Sequence, residues 1–164
     1  MQRTLKFLHT VAAIGLAGSL AALLAMLATL PDPTDAHAYA AVRASMNTIT
    51  TWVFMPSLLL VLISGLFSIA FVRAYQNAGW AFVKLASGII LFEGGLVAVS
   101  GPMRREAERS AAAVASAEPL TAAGATMASE TGAILVILAV AIANVVLGIW
   151  RPRLFARRRS AEAE

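Results

Sequence analysis

Apolar residues in this chain gather into four long blocks, with no strict alternation and no single narrow helical stripe. The blocks run from about Phe7 to Leu30, Trp52 to Val72, Trp80 to Val99 and Ala133 to Trp150. Each is long enough to cross a hydrocarbon core, which takes about 20 helical residues. Leu, Ala, Ile and Val fill them without the two-residue period of a membrane barrel strand. A helix satisfies its own backbone polar groups in lipid, so helix is the expected conformation. Trp52, Trp80 and Trp150 each stand at a block end, where aromatic belts form. The expectation is all-α: one membrane domain over residues 1–164, an integral four-helix bundle in contact with the lipid bilayer.

The connections differ in kind. Leu30-Pro31-Asp32-Pro33-Thr34-Asp35 stops the first helix, because proline cannot continue it. The segment from Arg73 to Gly79 is short and makes the second and third spans an antiparallel hairpin. The segment from Gly101 to Thr131 is long and rich in Ala, Ser and charge, and is expected to lie partly helical on the membrane surface.

Composition agrees with the pattern. Apolar residues make up 59% of the 164 and charged residues 13%, about half the charge of a soluble domain. Mean hydropathy is +0.77 and the pI is near 10.3. Apart from Lys84, the basic residues lie outside the apolar blocks, so the net charge of +4 speaks of membrane orientation and not of nucleic acid. With both termini on one side, that side carries Arg3, Lys6, Arg73, Arg151, Arg153, Arg157, Arg158 and Arg159. The other side carries Arg43, Arg104, Arg105 and Arg109. The excess predicts both termini in the cytoplasm, in a bacterial inner membrane. Ala36-His37-Ala38 imitates a signal cleavage site. The apolar stretch before it is longer than a signal peptide's, and Pro and Asp intervene, so the first block is read as a span. Cysteine is absent, which excludes disulfides, thiolate metal sites and covalently attached c-type haem.

Chemistry in such a chain rests on polar groups that lipid should exclude. His9 opens the first span, Ser68 closes the second, Lys84 lies about one turn into the third and Asn144 stands six residues from the end of the fourth. All four fall at a similar depth on the terminal side, roughly 9 Å deep for Asn144 at 1.5 Å per residue. Ser87, Gly88 and Gly95 share the stripe of Lys84 on its helix, and Ser57, Ser64 and Ser68 form a stripe on the second. Glu93 lies about 180° round the helix from Lys84, so the two cannot face one narrow core. Either Lys84 faces inward and Glu93 meets lipid or a partner chain, or Lys84 snorkels outward and Glu93 is the buried group. Small residues beside Lys84 favour the first, and Ile89, Ile90 and Val97 beside Glu93 suit lipid or a second copy of the chain. His9 and His37 flank the first span about 42 Å apart if helical, so one chain cannot supply a bis-histidine haem.

Leu5-Lys6-Phe7-Leu8-His9, opening an apolar helix, resembles the Lys-x-Leu-His start of the HemJ-type protoporphyrinogen oxidases and CopD-like membrane families. Asn47 through Gly65, with Pro56 inside the helix, is similar to the second helix of that group. Gly79-Trp80-Ala81-Phe82-Val83-Lys84-Leu85 resembles the segment opening the third. The likeness covers residues 2–100. It implies haem b, with His9 as the axial or metal ligand and Lys84 as second ligand, propionate partner or catalytic residue. Ser68 and Asn144 join them as cofactor-binding candidates at the same depth. The third helix carries Phe92-Glu93-Gly94-Gly95 where the family has a further histidine nearby, which bears on porphyrin oxidation more than on haem binding. Electron transfer through a redox partner or porphyrin oxidation would follow, although the residues leave open whether the protein is an enzyme. The alternatives are a non-enzymatic membrane subunit and a copper-uptake or transport helper. The copper reading would use Met26, Met46, Met55, Met103, Met127 and His37, all mapped to the far side, since thioether sulfur suits Cu(I).

Overall fold

The computed structural model describes residues 2–71, 79–117, 119, 120 and 124–150. Arg73 and the basic tail from Arg151 onward, which weigh in the orientation count, lie outside the described residues. Four long helices carry almost all of the rest: α1 (Gln2–Ala28), α2 (Ala36–Phe71), α3 (Gly79–Ser116) and α4 (Gly124–Trp150). No strand occurs among the described residues. Each is long and apolar enough to cross a membrane. Each packs on its neighbours in sequence, and α4 closes the ring on α1. The first and last described residues therefore share one end of the bundle, here the terminal end, and Pro31 marks the other.

Two helices are much longer than the blocks that announce them. At 36 and 38 residues, α2 and α3 measure about 54–57 Å at 1.5 Å per residue, nearly twice a hydrocarbon core of about 30 Å. The first half of α2, Ala36–Ile49, pairs with the last half of α3, Gly101–Ser116. The segment after Gly101 is thus no separate surface helix. It continues α3 as far as Ser116, where Ala117 ends it in the left-handed conformation (φ 54°).

Proline explains how these helices run on. Its ring collides with the carbonyl four residues back and offers no N–H. For Pro56 and Pro102 those carbonyls belong to Trp52 and Ala98, and both lie in π-helical turns, Thr50–Phe54 and Gly95–Ser100. A π turn widens the coil just where the ring needs room. The wide turns abut each other. A Cβ on Gly95 would fall 2.6 Å from Leu58 Cδ2 and 3.0 Å from Phe54 Cζ, so glycine there lets α2 and α3 meet.

At the Pro31 end, Asp32 caps its own turn by accepting from the Thr34 N–H and hydroxyl. Asp35 then caps α2 by accepting from the Ala38 N–H at 3.1 Å. The core runs down the axis: Leu16, Leu20, Leu23 and Leu27 of α1 meet Phe54 and Leu58 of α2, Leu91 of α3 and Ile134 and Ile137 of α4. The outward faces stay apolar, with Ile14, Ile90, Val97, Val136 and Ile149 all exposed, as a lipid-facing surface requires.

Candidate functional site

Polar side chains collect at two levels with this core between them. At the terminal end, the His9 ring is half-buried, with Nδ1 2.8 Å from Ser64 Oγ. Ser64 lies 4% exposed on α2 and donates its proton to the Leu60 carbonyl at 2.5 Å. A hydroxyl has one proton, so its oxygen is left to accept from Nδ1–H. The neutral ring then carries its lone pair on Nε2. The ring also lies against Gly65, whose added Cβ would come 3.9 Å from His9 Cε1.

On the opposite pair of helices, Ser87 donates to Asn144 Oδ1 at 2.7 Å and shares its hydroxyl with the Lys84 carbonyl. The Asn144 amide N–H in turn reaches the Val140 carbonyl. Lys84 is half-buried and crosses toward α4. Its ammonium sits 2.7 Å from where a Cβ on Gly148 would be. The structure thus brings His9, Ser64, Lys84, Ser87 and Asn144 to one level from four helices. Ser68, also named from sequence, is half-buried one turn from Ser64 and donates to that residue's carbonyl. Glu93 is exposed on the outward face of α3.

Residues that the sequence reading counted only as loop charge form the second level. Arg43 of α2 and Glu130 of α4 make an ion pair at 2.7 Å with both side chains 0% exposed. Arg43 Nε donates to the Tyr39 hydroxyl at 3.0 Å, and that hydroxyl donates to Glu106 Oε2 of α3. Arg109 closes the chain with two bonds to Glu106. Arg43 Nη2 and Glu130 Oε1 have no hydrogen-bond partner among the described residues. The available signal was helical spacing: Tyr39, Arg43, Met46, Thr50 and Phe54 fall at intervals of three or four, and all five are 0% exposed.

Met46 and Met103 belong to the apolar core, and Met26 and Met55 pack against it. His37 is exposed near the start of α2. Among the described residues no group of three or more His, Cys, Asp or Glu is placed to hold a metal ion.

A family model described as "Predicted integral membrane protein (DUF2269)" matches residues 3–152. The chain belongs to that family. The match takes in all four helices and both polar levels, and establishes a membrane protein without assigning a reaction to it. No curated protein and no solved structure matches the chain.

Proposed function

We propose that the protein is a haem-b-binding member of this family, held in a bacterial inner membrane with both termini cytoplasmic, and that the terminal-end level is its site. The His9–Ser64 hydrogen bond carries the reading. A ligating imidazole is held through its other ring N–H, which sets the tautomer and orients the ring, and Ser64 does this for His9.

The residues fit a haem with one histidine ligand. His9 would hold the iron through Nε2, with Gly65 beside its ring. Lys84, the cation at this level, would hold the group as a second ligand or through its carboxylates, and would hold a proton at a bound porphyrin. Ser68 and Asn144 would line the level from α2 and α4. The buried leucines of α1 form the apolar core below it. Bound there, haem supplies one-electron chemistry, the basis for passing electrons to a redox partner or oxidising a porphyrin.

A second reading, a non-enzymatic membrane subunit, is favoured by the Ser87–Asn144 bond, in which two polar side chains satisfy each other across α3 and α4. An absorption spectrum of protein purified from a haem-replete host separates the two. A Soret band lost in His9→Ala and retained in Glu93→Gln is the expected result. A colourless wild-type protein, with haem added during folding, removes the haem reading. The copper alternative would draw on methionines of the apolar core, Met46 and Met103 among them.

A further inference from the structure

We infer that the protein forms a two-fold dimer in the membrane, with Glu93 of each copy meeting Glu93 of the other on the symmetry axis. This does not rest on the haem reading. His9, Lys84 and Glu93 are the ionisable side chains of the four apolar blocks. The first two are half-buried within the bundle, whereas Glu93 is exposed. Among the described residues nothing bonds to its carboxyl. It is ringed by Ile89, Ile90, Leu96 and Val97, exposed at 48%, 66%, 39% and 73%. A carboxyl facing hydrocarbon is costly unless it is paired, and an apolar ring round a polar centre keeps water out of a contact made there.

The occupant follows from depth and charge. Whatever covers Glu93 must present a hydrogen-bonding group at the same height in the bilayer. A second copy in the same orientation does so by symmetry, since a residue on a two-fold axis meets itself. The described lipid-facing surface of the blocks carries no cation to pair with it instead. Two neutral carboxyls are self-complementary, each donating its O–H to the other's carbonyl oxygen. The ring residues then pack as the rim of the contact, with α3 beside α3.

The chain has no cysteine, so single cysteines report this geometry without background. Val97→Cys lies one turn from Glu93, while Val136→Cys, on the exposed face of α4, is the control. In native membranes treated with a mild oxidant, Val97→Cys is expected to give a disulfide-linked dimer about tenfold more abundant than the control. Adding Glu93→Leu is expected to cut that yield about tenfold, the scale of one interhelical hydrogen bond. Adding Glu93→Gln should preserve it, since two amides pair in the same way. Equal yields at the two positions, no dimer at Val97→Cys, or a yield indifferent to Glu93→Leu would each overturn the inference. A cross-link to a different protein would overturn it in favour of a heteromeric partner. A colourless protein that still cross-links would remove the haem reading and leave the dimer standing.

Discussion

Arg43 and Glu130 are fully enclosed and bonded to each other, and through Tyr39 and Glu106 they tie three helices together at the Pro31 end. His9 and Lys84, at the other end, are half-buried, and His9 lies against the Ser64 hydroxyl. The difference is one of consequence. A buried charge that loses its partner keeps the whole cost of having left water, so the Arg43 level holds only while it is closed. A half-buried imidazole beside a serine loses little on rearrangement. The same bundle therefore has a fastened end and an adaptable end.

The largest expected effect tests the fastening. Arg43→Met leaves Glu130 buried and uncompensated and should cost about 3–5 kcal/mol of stability, read as unfolding in detergent micelles. The double variant Arg43→Met/Glu130→Leu should recover most of it, because removing both charges leaves none stranded. A single variant as mild as a surface substitution would erase the contrast between the ends. Next in size is Ser64→Ala. It leaves the His9 ring without its anchor and should weaken haem retention about 10–100-fold, measured by titration against the Soret band. Stability should barely change.

Smaller effects sharpen the comparison. Ser87→Ala removes one interhelical bond, and its expected cost is about 0.6–1.7 kcal/mol in the same unfolding measurement. Gly148→Ala puts a methyl group where the Lys84 ammonium rests. A flexible side chain can move aside, so the fold should stay intact while the Soret position shifts. A fold that collapses on Gly148→Ala would mean that Lys84 is fastened there much as Arg43 is at the other end.

The four spans and the inward or outward sense of α3 were legible in sequence. Apolar blocks of that length have one solution in lipid, and small residues beside Lys84 against bulky ones beside Glu93 distinguish the two faces. The depth shared by His9, Lys84 and Asn144 was also legible, because rise per residue is constant in a helix. Partners within that level were less so. Ser64, one turn before Ser68, meets His9, and Ser87 meets Asn144, choices set by how the helices rotate on packing. The Arg43 network was hidden because its residues lie in segments that composition marks as connections.

What the sequence determined by itself, then, is the membrane class, the number of spans and the height of each polar group along its own helix. These follow from hydropathy and from a fixed rise per residue, which are local properties. Only the tertiary structure decided that α2 and α3 pass Pro56 and Pro102 through paired π turns, and that Gly95 lets those turns meet. It alone closed Arg43 on Glu130, 87 residues away. Pairing of that kind depends on the rotation and approach of whole helices, which no local stretch of residues encodes.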